Sequence, residues 1–521
     1  MRTAALAPGG PSQLTSSSES IALAGDGVRI ADVVRVARHD APVSLSPQAR
    51  DKVAAAREIV DRIAASGASV YGVTSALGAN TGKPIPPAER SAYQLRAIRA
   101  RAVGVGPPHS RDGVRATMFA RASGLAVGGS GVSLHVLDAL VAALNARVHP
   151  VVPSIGSIGV ADLAPLSHIA LVLVGEGSAE YEGHVFDGAE ALRRASLAPV
   201  TLAAKDGLCL ISANAATVGH AALVLRDCAD ALDALHVATA LTFEGFRANL
   251  SPLDPRVQAA RPARGQMLVA ARLSELLDGS ALWQPGAARR VQDPVSLRCV
   301  TQVNGAALAS LHAARDDVEI ELNSAADSPL VIAGDGQMLS NGNFHLPALA
   351  LAFDSLRLAL AQAAMLCVAR CQRSYSPALT DLPLQLTDLG PEHSGFATIQ
   401  KTLTALLNDV RHLANPASLD CLPVSEAVED HAPMAANVVA RTAAMVPLLR
   451  YLAAIELMTA AQAVDLRKLD HAALGTGAAA AYDAVRARIA MLGEDRPLGP
   501  DVETIAQMIA ADALPTRDLL A

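Results

Sequence analysis

The sequence has few aromatic residues and few cysteines for its length. Of its 521 residues only 3% are aromatic, Trp283 is the one tryptophan, and six are cysteines. Six cysteines scattered along a long chain form no compact disulfide framework, which indicates a reducing cytoplasm. A core with so few large side chains predicts that other subunits cover much of the apolar surface. We therefore expect a cytoplasmic oligomer.

Positive charge is not concentrated anywhere in the chain. The formal net charge is −7, and no segment gathers lysine or arginine into one stripe. Nucleic acid and anionic membrane surfaces are therefore poor partners, and a small-molecule substrate is expected. Cys367 and Cys371 would share a helix face, but no second pair of cysteines or histidines stands nearby to complete a metal site.

No segment has the pattern of a secretion signal or of an uninterrupted membrane span. Residues 346–368 are the most apolar long stretch, but Asp354 and Arg357 stand near its middle, where a bilayer tolerates charge poorly. We interpret it as a buried helix. Residues 1–25 are predicted to be a disordered tail, since the chain begins rich in serine, glycine, proline and alanine.

The sequence is rich in alanine and in apolar residues at helical spacing. Hydrophobic residues make up 51% of the chain, and alanine supplies much of this fraction. Apolar residues at three- and four-residue spacing predict four long amphipathic helices: 303–321, 346–372, 396–413 and 433–466. Strand signals are sparse, with residues 180–186 as a possible exposed hairpin. The predicted fold class is all-α.

Two glycine-rich stretches interrupt the helical pattern, at residues 71–82 and 153–162. Glycine allows a backbone to approach a ligand closely, and functional residues concentrate on such loops. We therefore expect residues 26–240 to form an N-terminal active-site portion. Residues 241–521 would form a C-terminal bundle of long helices.

The second stretch carries the most specific motif. Residues 156–168 read GSIGVADLAPLSH and closely resemble the signature of the aromatic amino acid ammonia-lyase superfamily, which includes histidine and phenylalanine ammonia-lyases. In that family an Ala-Ser-Gly triplet precedes Asp-Leu-Ala-Pro-Leu and cyclises into a methylidene-imidazolone electrophile. Val160 and Ala161 replace the triplet here. The cyclisation needs the serine and the glycine, so we expect no such cofactor.

Further motifs match the family in order from about residue 45 to residue 470. Tyr71 begins a Tyr-Gly loop whose tyrosine, by resemblance, is the base that removes the substrate β-proton. Arg298 ends the motif QDPVSLR and corresponds to the arginine that binds the substrate carboxylate. Glu429 begins a Glu-Asp-His motif that is typical of histidine ammonia-lyases. A carboxylate there favours a nitrogen heterocycle, whose N–H groups it can bind.

Other positions depart from the family pattern. Arg101 replaces the histidine of the aromatic pocket, Ser212 replaces a substrate-binding asparagine, and Val295 replaces a second active-site tyrosine. Arg96 replaces an asparagine, which adds positive charge to the same predicted helix. Asn343 lies in a matching Gly-Asn-Phe-His stretch and is expected to bind substrate. The resemblance also implies a homotetramer whose active sites combine residues of several subunits.

Without the electrophile, a tyrosine base can drive β-elimination only if the substrate supplies its own leaving group. A quaternary trimethylammonium meets this condition, because it leaves as a neutral amine without needing a proton. The chain thus resembles the cofactor-less branch of the superfamily, the ergothionases, which convert ergothioneine to thiourocanate and trimethylamine. In this scheme Arg101 faces the sulfur of the substrate, and Glu429 binds its ring.

Several alternatives remain open from the sequence. Tyr71 could simply pack, Arg298 could bridge helices, and Arg96 and Arg101 could form a solvated face. The chain could be an ammonia-lyase or aminomutase acting on histidine or an aromatic amino acid, or an inactive family member that serves as a binding subunit. We expect no metal at residues 429–431, since neighbouring side chains on one helix point in different directions. Which betaine is the substrate stays open.

Overall fold

The structure, a computed structural model, describes residues 19–80, 82–426 and 428–521, and within these ranges it is mostly helical. The α-helices are α1 Ile30–His39, α2 Pro47–Ser66, α3 Arg90–Arg99, α4 Arg111–Ala126, α5 Leu134–Asn145, α6 Leu163–Leu173, α7 Gly188–Arg194, α8 Asp206–Ile211, α9 Ala215–Phe246, α10 Pro255–Ala260, α11 Arg264–Leu276, α12 Val295–Arg298, α13 Val300–Leu322, α14 Pro347–Ser374, α15 Pro377–Thr380, α16 Ile399–Leu413, α17 Ala435–Arg467, α18 Thr476–Arg486 and α19 Gly499–Ala510. The strands are short: β1 Ile21–Leu23, β2 Val43–Leu45, β3 Val105–Pro108, β4 His149–Pro150, β5 Pro153–Ile155, β6 Ser178–Tyr181, β7 His184–Asp187, β8 Leu330–Ile332 and β9 Gln337–Leu339. The predicted all-α class is confirmed.

The four longest helices form the core. α9 packs along α17, and α14 packs against both α13 and α17. The sequence of α9 is dominated by alanine and leucine, and nearly every residue of this helix is buried. Small side chains let the helix axes approach closely, which suits a helix enclosed on all sides.

A buried polar link joins three of these helices. Arg370 of α14 donates from Nε and Nη2 to the two carboxylate oxygens of Glu456 on α17, at 2.5 and 2.8 Å. Thr242 of α9 donates to the same carboxylate at 3.0 Å. All three side chains are almost fully buried. Because a buried charge without a partner is costly, loss of any one member of this link would leave the others poorly paired.

The predicted long helices correspond to α13, α14, α16 and α17. By length and composition, the segments Asp206–Phe246, Pro347–Ser374 and Ala435–Arg467 could each cross a membrane. The most apolar window of the first is 94% buried inside the chain, whereas those of the other two are 56% buried. Segment 346–368 is thus packed into the bundle along one side only.

The beginning of the chain corrects one prediction. Ile21–Leu23 forms β1, which pairs in parallel with β2, and the side chains of Ile21 and Leu23 are buried. The predicted tail of residues 1–25 is therefore too long, and its residues 1–18 lie outside the described part of the chain. The predicted hairpin is confirmed as antiparallel β6 and β7. The boundary expected at residue 240 falls inside α9, which continues to Phe246.

Candidate active site

Asp162 fixes the glycine-rich loop, residues 153–162, to the core. Its fully buried carboxylate accepts hydrogen bonds from the Ser157 hydroxyl at 2.6 Å, the Thr217 amide at 2.7 Å and the Thr217 hydroxyl at 2.9 Å. Burial raises the pKa of Asp162 even though these donors favour the carboxylate. Since Thr217 lies in the first turn of α9, the loop is attached to one of the long buried helices.

The same loop is held by three other segments. Val160 forms an antiparallel bridge with His345, and the Ala161 amide donates to the carbonyl of Phe344 at 3.3 Å. The Asp162 amide donates at 2.6 Å to the carbonyl of Ala213, a residue that lies between α8 and α9. Just before α17, the amide of residue 434 donates to the carbonyl of residue 158 at 3.0 Å. Residues distant in sequence thus converge on this loop.

Tyr71 lies in a loop between α2 and α3, residues 67–85, which we call the Tyr71 loop. Its hydroxyl oxygen accepts a hydrogen bond from the Gly78 amide at 3.0 Å, and the side chain is 36% exposed. Gln94 of α3 fastens the loop: its amide donates to Gly72 at 3.3 Å, and its oxygen accepts from the Leu208 amide at 3.1 Å. The tyrosine is accessible on a loop tied to α8.

Gly72 is required where the Tyr71 loop meets α8. Its φ is 68°, and a Cβ there would lie 2.4 Å from the Leu208 side chain. Ser212 follows the other end of this short helix, and its amide donates to Leu208 at 2.8 Å. Gly72, next to Tyr71, and Ser212 thus both contact Leu208 of this short helix.

Asn214 is a polar residue of this region that the sequence interpretation missed. Its side-chain amide donates to the carbonyl of Phe344 at 2.6 Å, while its Oδ1 is buried and has no hydrogen-bond partner. The available signal was a side-chain amide two residues after Ser212, which itself stands where the family carries an asparagine. An unpaired buried acceptor is costly unless a ligand or water satisfies it.

Arg96 of α3 and Arg101 just after this helix differ in their surroundings. Arg101 is half-buried just after α3, and its guanidinium donates to the carbonyl of Ala97 at 3.0 Å. Arg96 forms an ion pair with Glu89 at 2.9 Å, and both side chains are 54% exposed. In this chain Arg96 is therefore a surface residue, in a kind of pair that contributes little to stability.

Arg298 ends α12 and lines a cavity of about 340 Å³. Gln292 lies beside it: with the amide oriented so that its oxygen faces the guanidinium, that oxygen accepts from Nη2 at 3.1 Å. The Nε of Arg298 is buried without a hydrogen-bond partner. Arg298 thus borders a cavity and keeps one donor unpaired, and Gln292 is a neighbour to which the sequence interpretation gave no role.

Glu429 does not lie on a helix, which corrects the expectation for residues 429–431. Val424 and Glu429 exchange backbone hydrogen bonds at 3.0 and 3.3 Å, as in a tight hairpin. Ser425 donates to the half-buried Glu429 carboxylate at 3.3 Å. His431 contacts His345, whose Nε2 lies 2.9 Å from the His431 Nδ1. Within the described ranges, no group of three or more potential ligands could hold a metal ion.

Asn343 is exposed beside the glycine-rich loop. Its backbone amide donates a hydrogen bond to the side-chain oxygen of Asn341 at 2.9 Å. Its side-chain amide donates to the carbonyl of Ala325 at 3.5 Å. In the parts of the chain that the structure describes, no hydrogen bond joins Arg298 or Glu429 to the Tyr71 loop. Tyr71 and Ser212 share α8 as a support, and the remaining predicted residues lie on separate elements.

Comparisons with known proteins agree with this arrangement. A sequence profile described as aromatic amino acid lyase matches residues 28–487. This chain belongs to the aromatic amino acid lyase family. It is 39% identical over 486 residues to the histidine ammonia-lyase of Symbiobacterium thermophilum, covering 93% of this chain and 96% of the relative. It is 40% identical over 503 residues to the histidine ammonia-lyase of Sorangium cellulosum, covering 94% and 98%.

Solved structures of the family have the same fold. The ergothionase from Treponema denticola, in complex with desmethyl-ergothioneine sulfonic acid, has a TM-score of 0.92 at 32% identity, covering 95% of this chain and 100% of that one. The tyrosine aminomutase from Streptomyces globisporus has a TM-score of 0.90 at 31% identity, covering 96% and 100%. The chain is thus a lyase-family protein along nearly its whole length.

The family's methylidene-imidazolone does not fit the residues of this loop. Its formation needs a serine to dehydrate at the replaced triplet, and the nearest serine of the loop, Ser157, donates its hydroxyl to Asp162. The amides of Ala161 and Asp162, which stand where the triplet ends, both donate to carbonyls of other segments. No group is in place to cyclise, and the loop is one residue shorter than the family pattern.

A cavity of about 580 Å³ lies beside the glycine-rich loop. Its polar lining includes His109, Ser157, His220 and Asn437. The rings of His109 and His220 are 4.2 Å apart between centroids, and burial, followed by the neighbouring His220, lowers the pKa of His109 to about 4. This cavity therefore presents neutral imidazoles and adds no positive charge to the loop.

Proposed function

We propose that this chain is a carbon–nitrogen lyase that eliminates trimethylamine from a histidine-derived betaine, converting ergothioneine to thiourocanate without an internal electrophile. The observation that carries the proposal is the glycine-rich loop. It retains the surroundings of the family but has Val160 and Ala161 where the electrophile would form. The structural similarity to an ergothionase supports the same substrate class.

The reaction requires a base and a leaving group. The Tyr71 oxygen, as phenolate, takes the proton from the β-carbon, the C–H electron pair forms the Cα=Cβ double bond, and the Cα–N bond breaks. Trimethylamine departs as a neutral molecule with the electrons of that bond. The Gly78 amide already donates to the Tyr71 oxygen, which gives negative charge at that atom an electrostatic partner.

The other residues bind and orient the substrate. Arg298 binds the carboxylate with its guanidinium, which borders a cavity. Glu429 binds the ring N–H groups, and Arg101 faces the sulfur. Ser212 and Asn343 complete the polar surroundings. Holding the β-proton near Tyr71 makes the elimination effectively intramolecular.

We propose that the active site is shared among subunits of a homotetramer. Tyr71, Arg298 and Glu429 lie on elements that no hydrogen bond connects within the described chain. Exposed apolar side chains also line one face of α14 at seven-residue spacing, namely Leu351, Leu358 and Met365. Such a stripe favours packing against another helix. A second copy of the chain would cover it and bring the separated residues together.

Mixing two inactive variants tests the shared site. Tyr71→Phe and Arg298→Gln chains, unfolded and refolded together, should recover part of the wild-type turnover, because some sites then combine an intact Tyr71 with an intact Arg298 from another subunit. Each variant refolded alone is the control. A mixture no more active than the two separate variants would show that each site is built from one chain.

One assay tests the proposed reaction. The purified protein is incubated separately with ergothioneine, hercynine and histidine, while trimethylamine and ammonia are quantified and the ultraviolet absorbance of an acrylate product is followed. We expect trimethylamine and thiourocanate from ergothioneine, and no ammonia from histidine. The intact mass should equal that of the unmodified polypeptide, since no residues cyclise.

The competing function is histidine ammonia-lyase activity, which the names of the curated relatives favour. Ammonia release from histidine, with inactivation by borohydride, would support it and reject the trimethylamine proposal. Absence of turnover with all three compounds would instead favour an inactive binding subunit.

A further inference from the structure

Residues 419–432, which we call the Glu429 segment, are weakly attached to the rest of the chain. Leu419 and Leu422 are 83% and 80% exposed. Most hydrogen bonds of the described residues, 419–426 and 428–432, stay inside the segment: those between Val424 and Glu429, and the bond from residue 432 to the sulfur of residue 421. Within one chain, the position of Glu429 therefore depends on very few contacts outside the segment.

One hydrogen bond of these described residues leaves the segment. His431, two residues after Glu429, has its Nδ1 2.9 Å from the Nε2 of His345. The rings meet edge to face, with centroids 5.0 Å apart and planes at 78°. His345 itself is fixed, since it bridges Val160 and its amide donates to Gly342 at 3.0 Å. The two histidines connect Glu429 to the glycine-rich loop.

The side chain at residue 431 can be changed so that the hydrogen bond to His345 is kept or lost. The bond joins two imidazole nitrogens, and either ring can donate, depending on the tautomers. The amide of an asparagine at residue 431 can accept from His345 Nε2 or donate to it, whereas a leucine can do neither. Conservative and disruptive variants can therefore be compared at one position.

We propose that His345 and His431 form a positioning pair that sets where Glu429 lies relative to the glycine-rich loop. The identity of the substrate that Glu429 binds rests on the proposed function. The attachment of the segment by the two histidines does not depend on it. Neither histidine needs to touch the reacting atoms. Their effect is on the binding of the ring that Glu429 recognises.

Hydrogen exchange of the full-length protein tests the attachment without any substrate. In His431→Leu, the amides of Val424 and Glu429 should exchange about tenfold faster than in the wild type, because the segment loses the hydrogen bond that joins its described residues to the rest of the chain. His431→Asn should remain within about threefold of the wild type. His471→Leu, which removes an exposed histidine bonded to Asp483, is the matched control. Unchanged protection in His431→Leu would overturn the proposal.

Kinetics with ergothioneine test the consequence for binding. His431→Leu should raise KM about tenfold and change kcat less than threefold, because binding is lost equally in the ground and transition states. Glu429→Gln should raise KM by a smaller factor in the His431→Leu background than in the wild type, since the two residues act together. If Glu429→Gln raises KM by the same factor in both backgrounds, the positioning role is rejected. If the wild type turns over no betaine, the proposed function fails and the exchange experiment decides the pair alone.

Discussion

The glycine-rich loop and the Glu429 segment are attached to the protein in opposite ways. The loop is held by the buried Asp162 carboxylate, by a bridge to His345 and by backbone bonds to three segments. The Glu429 segment is mostly exposed, and its described residues make one hydrogen bond to the rest of the chain. The Tyr71 loop is intermediate, since Gln94 fastens it while Tyr71 is accessible.

This difference separates residues that stabilise the fold from residues proposed to act on the substrate. Buried polar groups must be paired, so a network such as that of Asp162 contributes to folding whether or not an electrophile forms beside it. The proposed base and ring-binding group lie on accessible segments, where side chains can meet a substrate and a partner subunit. Changes in the first region should therefore affect stability, and changes in the second should affect turnover.

Tyr71→Phe tests the chemical side of the comparison and has the largest expected effect. Removing a general base typically costs about 10²- to 10⁴-fold in rate, so kcat with ergothioneine should fall at least about hundredfold. The thermal midpoint should stay within about 1 °C, because the substitution removes one hydrogen bond at a partly exposed side chain. Tyr181→Phe, in the β6–β7 hairpin, is the control. Turnover near the wild-type value would remove Tyr71 from the mechanism.

Asp162→Ala tests the architectural side. The substitution leaves the hydroxyl and amide donors of Ser157 and Thr217 unpaired in a buried site, so we expect a loss of about 3 kcal/mol in stability. Thermal or denaturant unfolding measures this loss. Asp335→Ala, at an exposed carboxylate, should change stability by less than about 0.5 kcal/mol. Equal midpoints for the two variants would mean that the network does not anchor the loop.

Arg298→Gln sharpens the comparison within the proposed site. Loss of a charged carboxylate donor should raise KM for ergothioneine about 10- to 100-fold, corresponding to about 1.4 to 2.7 kcal/mol. Arg488→Gln, at an exposed arginine, should leave KM unchanged. Comparing the change in KM for ergothioneine with that for its methyl ester separates carboxylate binding from a general structural effect, because the ester lacks the charge that Arg298 is proposed to bind.

Gly159→Ala has the smallest expected effect and measures how closely the loop meets α17. Gly159 has a φ of 78°, and a Cβ there would lie 2.8 Å from the backbone nitrogen of Ala435. Gly183→Ala, at φ 83° with nothing within 4 Å, shares the backbone strain but not the contact. We expect Gly159→Ala to be less stable than Gly183→Ala by about 1 kcal/mol. Equal losses would mean that the loop can shift away from α17.

Much of the bundle could be predicted from sequence because helical periodicity is a local property. The segments predicted as long helices overlap α13, α14, α16 and α17 closely. The helix expected at residues 429–431 was wrong, because the chain turns there through left-handed Ser425 and Glu426. No short-range pattern signals two consecutive non-glycine residues with positive φ. The roles assigned to Tyr71, Arg298 and Glu429 stay predictions that the experiments above address.

By itself the sequence determined the family, the helical class and the absence of the residues that build the electrophile, because motifs and periodicity are carried by neighbouring residues. Only the tertiary structure decided that Asp162 pairs with Thr217, that Asn214 is left with an unpaired oxygen and that His345 meets His431. Such pairs join residues far apart in the chain. They form because burial forces polar groups to find partners wherever the packed helices bring them together.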